Sequence, residues 1–140
     1  MKTAYPTFIR ESNGDYLVFV PDLEIYTEGT SIADAIEMAR DAIGLKGIDM
    51  EDSGQKLPEP SNTERALEIA KKDADDVFDY STGVLSFVDV DFLEYRKQHD
   101  NKMVRRNVTI PCWLNMAADK AKINVSKVLQ EALKERLAVK

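Results

Sequence analysis

The sequence has one cysteine and one histidine in 140 residues. Cys112 alone cannot close an internal disulfide, and with His99 it falls short of the four ligands of a structural zinc site. Disulfide-stapled secreted scaffolds and zinc modules are excluded. Long apolar runs are also missing: stretches such as Leu17-Val18-Phe19-Val20 stop far short of the roughly 18 apolar residues a bilayer span needs. With no basic-then-apolar leader, the expectation is a cytoplasmic protein with no membrane partner. No glycine-rich phosphate loop of either familiar spacing occurs.

What the chain does have is charge, unevenly placed. Its net −6 hides a division near residue 102. Residues 102–140 hold nine basic and three acidic side chains, a net of +6, which leaves residues 1–101 at −12. Such asymmetry predicts two modules with different partners, a basic one for a polyanion and an acidic one for something cationic. At 44% apolar and 31% charged, 140 residues suffice for a small globular domain plus a minimal appended module.

The N-terminal part reads as α+β. Lys2–Arg10 and Tyr16–Val20 are strand-like, and Glu11-Ser12-Asn13-Gly14-Asp15 between them makes a β-hairpin. Leu23–Glu28 is a candidate third strand. Ser31, with Asp34 three residues on, opens a helix to about Lys46, because Ile32, Ala35, Ile36, Ala39, Ala42 and Ile43 form one apolar stripe. Residues 47–61, with two glycines and two prolines, read as a loop. A second helical pattern starts at Ser61-Asn62-Thr63-Glu64, and Val84–Val90 is a final strand. The predicted organisation is a first domain over 1–92, a linker over 93–102 and a second domain over 103–140.

In the second domain, residues 103–110 alternate, with Arg105, Asn107 and Thr109 on one face and Val104, Arg106, Val108 and Ile110 on the other. Two helices follow, one from Pro111 to about Lys122 and one capped by Ser126, with Asn124 expected to take the left-handed turn between them. A lone strand with two helices in under 40 residues cannot bury its apolar stripes. Pairing two chains strand to strand cures this, so a dimer is expected. The paired ribbon would present Arg105, Asn107 and Thr109, side chains suited to base edges, to a major groove.

Val104-Arg105-Arg106-Asn107-Val108-Thr109-Ile110-Pro111, Trp113-Leu114, Ile123-Asn124-Val125-Ser126-Lys127 and Leu129-Gln130-Glu131-Ala132-Leu133 resemble the ribbon-helix-helix repressors. The resemblance implies Arg105, Asn107 and Thr109 as base readers and Ser126 and Lys127 as a phosphate clamp. Arg106 departs from the family's usual apolar or small residue.

Upstream, Tyr5-Pro6, Asn13-Gly14-Asp15-Tyr16, Val20-Pro21-Asp22-Leu23, Thr27-Glu28-Gly29-Thr30-Ser31 and Leu57-Pro58-Glu59-Pro60-Ser61 resemble HicB antitoxins. Leu23-Glu24-Ile25 and residues 62–83 depart from that pattern. This resemblance implies a type II toxin–antitoxin system. The first domain would be a partial ribonuclease-H-like fold that binds a small, basic, mRNA-cleaving HicA toxin, and Asp15, Tyr16, Asp22 and Glu28 are the candidate toxin contacts. The second domain would repress the operon through operator DNA, as a dimer or a dimer of dimers. No cofactor or catalysis is expected. Two rival expectations are an orphan ribbon-helix-helix transcriptional regulator whose acidic domain senses a ligand or only oligomerises, and a metal-dependent nuclease using Asp22, Asp89 and Asp91.

Overall fold

Asn13 and Gly14 both take positive φ, 53° and 87°, as a two-residue type I′ hairpin requires. They join β1 (Lys2–Ser12) to β2 (Asp15–Val20), placing Phe8 opposite Phe19 and Ser12 opposite Asp15. This computed structural model describes residues 2–100 and 102–139. After β2 a single 3₁₀ turn, Pro21–Leu23, ends at Glu24 in the left-handed region (φ 51°), which redirects the chain into β3 (Ile25–Gly29). β4 (Val84–Asp91) pairs with the other side of β1. The sheet is antiparallel throughout, in the order β3-β2-β1-β4, so β3 and β4 are its edges.

Alternation sends Tyr5, Ile9, Val18, Val20, Ile25, Val88 and Val90 into one core, where α1 (Ile32–Asp52) packs with Ala35, Ala39 and Ile43. Ser31 Oγ accepts the Asp34 amide at 3.0 Å, and the Asp34 carboxylate accepts the Thr30 amide at 2.8 Å. The reciprocal bond of the capping box thus falls one residue outside the cap. Helix and strand approach so closely here that a Cβ on Gly29 would meet the backbone of Ala35. Ile43 is the largest α1 side chain in this core, and its truncation to alanine costs about 2–5 kcal/mol. Phe8 and Phe19 point the opposite way, under Ala66 and Ala70 of α2 (Thr63–Asp73), whose cap Asn62 accepts the Arg65 amide at 2.8 Å.

Two sequence expectations fail in this region. α1 does not stop near Lys46 but runs through Gly47 to Asp52, leaving residues 53–62 as the loop. Gly47, which suggested a break, instead makes room for a neighbour, as does Gly44 inside the expected helix: a Cβ on Gly44 or Gly47 would strike the rings of Tyr95 or Phe92. Both rings belong to α3 (Phe92–His99), which occupies most of the expected linker 93–102. Asp91 caps α3, the Tyr95 hydroxyl donates to Asp41 at 2.9 Å, and Arg96 pairs with Glu51 at 3.1 Å and Asp52 at 2.8 Å. α3 is thus docked on α1.

The chain divides into two compact units, Met1–Lys102 and Met103–Lys140. The second contains α4 (Cys112–Lys120) and α5 (Val125–Arg136). Within the single chain residues 103–110 form no strand ladder, since a lone strand has nothing to pair with. Lys122 (φ 55°), not Asn124, takes the left-handed turn. Asn124 instead caps α5 in place of Ser126, its Oδ1 accepting the Lys127 amide at 3.1 Å. Among the described residues no helix is long and apolar enough to cross a membrane.

Candidate partner-binding surfaces

The second unit has no core of its own. None of its described side chains is buried, and its apolar residues stand in solvent, Val104 at 81% and Trp113 at 69%. Arg105, Asn107 and Thr109 are exposed, and so is Arg106. A groove of about 850 Å³ brings Arg105 and Asn107 together with Ser126, over a floor that includes Leu129 and Leu133. Thr109 and Lys127 lie outside its lining. Ser126 and Lys127 occupy the first turn of α5, where backbone amides favour anions, although Asn124 already engages the Lys127 amide.

In the first unit the four nominated contacts separate. Asp15, Tyr16 and Glu28 gather at the hairpin end of the sheet, where Tyr16 pairs with Glu11 and Gly29 and lines a groove of about 530 Å³ with Ile9, Ile32, Ile36 and Val84. Asp22 lies at the other end of β2 and faces the loop before α2. Its carboxylate accepts the Ser61 amide at 2.8 Å and also the Ser61 hydroxyl, latching loop 53–62 to the 3₁₀ turn. Tyr5 holds the same loop, its hydroxyl donating to the Pro58 carbonyl at 2.7 Å.

A further cluster escaped sequence reading because its members lie far apart in the chain. On the α2 side of the sheet, Tyr26 of β3 stacks on Phe19 at 4.8 Å, and Tyr80 stands 5.3 Å from Phe19 and 4.7 Å from Phe78. The Tyr26 hydroxyl donates to Asp73 Oδ1 at 2.5 Å, and that bond, more than burial, pushes its pKa up to about 12. Burial raises Tyr80 as well, with Asp73 and Glu28 adding to it. Arg10 lies 4.5 Å over the Phe78 ring and donates to the Asp79 carbonyl at 2.9 Å. The sequence signal was aromatic and apolar residues set among acids in Asp73-Ala74-Asp75-Asp76-Val77-Phe78-Asp79-Tyr80.

The carboxylates considered for metal catalysis have other work. Asp89 is held by Arg40 at 3.2 Å and Lys2 at 3.4 Å, contacts that keep its carboxyl below the usual range, Arg40 foremost. Asp91 caps α3 and Asp22 holds Ser61. Among the described residues no group of three or more histidine, cysteine, aspartate or glutamate side chains could hold a metal ion. His99 stacks on Tyr95 at 4.1 Å, and Cys112 is exposed.

Residues 5–133 match the family described as HicB_like antitoxin of bacterial toxin-antitoxin system. Among solved structures the fold is similar to a chain of a toxin–antitoxin complex from Streptococcus pneumoniae. That chain is 24% identical with a TM-score of 0.60, covering 97% of this chain and 99% of that one. It is also similar to the Burkholderia pseudomallei antitoxin HicB, 26% identical, with a TM-score of 0.51 and 97% of each chain covered. A search among curated proteins finds no match.

Proposed function

Because the chain belongs to the HicB-like antitoxins of bacterial toxin–antitoxin systems, we propose that it binds and neutralises a HicA-type mRNA-cleaving toxin through its first unit and represses its own operon through its second. The observation that carries the second half is the absence of any buried side chain in residues 103–139 among those described. Two helices that bury nothing alone need a partner surface, and a second copy supplies one while completing the ladder that residues 103–110 lack. Paired as a ribbon-helix-helix dimer, or as a dimer of dimers, the unit presents Arg105, Asn107 and Thr109 to operator bases, with Ser126 and Lys127 on a phosphate.

The first unit keeps its own core and carries the negative charge, which suits a small basic ribonuclease. Asp15, Tyr16 and Glu28 face the toxin at the hairpin end, whereas Asp22 serves the fold. Kinship of this unit with a partial ribonuclease-H-like fold belongs to the same reading and rests on the sequence resemblance. The protein acts by binding, without catalysis or cofactor, in the cytoplasm.

Tagged full-length protein, expressed from its own locus, tests both halves at once. It should co-purify with the small basic product of the adjoining reading frame, show at least a dimer's mass by light scattering, and retard its own promoter DNA. A well-folded monomer indifferent to that DNA would overturn the repressor half, and failure to retain the neighbouring product would overturn the antitoxin half.

A further inference from the structure

The α2 side of the sheet carries an exposed feature beside the smaller core, against which Tyr80 packs. Val77 is 90% exposed, yet it is held in place, because Asp75 Oδ1 accepts the amides of both Val77 and Phe78 at 2.8 Å. Next to it in the chain Phe78 packs edge-on against Tyr80, which in turn meets Tyr26, and Tyr26 remains 56% exposed despite its stacking and its hydrogen bond. Rigid amphipathic rings in contact with solvent, beside the open edge of β3, are what protein interfaces use as anchors.

Charge selects the occupant. Asp73, Asp75 and Asp76 make no ion pair among the described residues, whereas Glu51, Asp52 and Asp89 are each matched by an arginine. Lys71 and Lys72, in the last turn of α2, mark the limit of the negative patch. The ledge already displays the chemistry it favours: Arg10 lies over Phe78 and bonds the Asp79 carbonyl, a guanidinium on an aromatic face beside acids.

We propose that this ledge, built by Tyr26, Phe78 and Tyr80 with the exposed Val77 and fringed by Asp73 and Asp76, receives an arginine- or lysine-bearing surface of the toxin. The inference rests on the antitoxin reading and assigns a role to residues 62–83, where the resemblance to known antitoxins lapses. Cationic side chains of the toxin would lie over the exposed rings and pair with the carboxylates, while Val77 enters an apolar seat.

The test uses full-length protein and the toxin that co-purifies with the wild type. In the Asp76→Lys/Val77→Lys double variant, both positions being exposed, toxin affinity measured by calorimetry should fall by about 30-fold or more. Operator retardation and the thermal midpoint should stay unchanged, and the variant's affinity should depend less on salt. A second measurement does not disturb the charges: a fluorophore on Val77→Cys in a Cys112→Ser background, which removes the exposed native thiol, should lose solvent accessibility when toxin is added. Wild-type affinity in the double variant, or an unshielded label in the saturated complex, overturns the ledge while the antitoxin reading stands. A loss of DNA binding alone, with toxin affinity intact, would assign the ledge to the chain's own basic segment and overturn the proposal equally. If the wild type holds no toxin at all, the antitoxin reading fails and the ledge with it.

Discussion

The hydroxyl of Tyr26 donates to Asp73 Oδ1 across 2.5 Å, fastening edge strand β3 to the last residue of α2. The bond exists only while the phenol keeps its proton. Ionisation of Tyr26 is accordingly pushed from the ordinary 10.0 up to about 12. A folded-state pKa raised above the unfolded value contributes stability that is complete below pH 10 and is lost as pH climbs through about 12. Thermal midpoints measured between those limits should fall, and the Tyr26→Phe variant should fall less steeply. Ultraviolet titration should show one late tyrosinate fewer in that variant, with Tyr95, also near 12, retained.

Asp89 sits between two cations, which is the wrong setting for a metal-binding carboxylate. Purified protein should therefore leave RNA and DNA intact with or without magnesium, and calorimetric titration with magnesium should give no saturable heat. Magnesium-dependent cleavage that disappears in Asp89→Asn would restore the nuclease reading.

If the second unit binds its operator as proposed, Arg105 and Asn107 contact base edges while Ser126 and Lys127 hold a phosphate. Arg105→Ala or Asn107→Ala should each cost about 1–3 kcal/mol of specific operator affinity by gel retardation. Neither should affect toxin capture. Lys127→Ala should instead weaken binding to all sequences alike and flatten the salt dependence.

Asn124 takes the capping role that the sequence suggested for Ser126. Asn124→Ala removes the α5 cap and should lower the stability of the assembled second unit by about 1 kcal/mol, read as a loss of helical signal on heating. Ser126→Ala should leave the melt almost unchanged and show its effect on DNA.

Local chemistry made much of the first unit legible. The Asn13-Gly14 hairpin, the Ser31 cap and the apolar stripe of α1 are all set by residues within a turn or two of one another. α3 was hidden because its own composition is charged, and its place depends on Gly44 and Gly47, about fifty residues earlier. Gly47 misled for the same reason, since a residue that ends helices in isolation here admits the Phe92 ring. The aromatic ledge joins β3 to a segment some fifty residues away, which no periodicity reports. Residues 103–110 alternate like a strand yet form no ladder in the single chain, and alternation alone names no pairing partner.

A segment that shelters none of its own side chains has a stability set by dose as well as by sequence. On the proposed dimer reading, dilution in a growing cell would part residues 103–139 from their mates first and open them to proteases, while the sheet-bearing unit would keep its core and any hold on a toxin. Promoter silencing and toxin restraint would then lapse at different copy numbers, in that order.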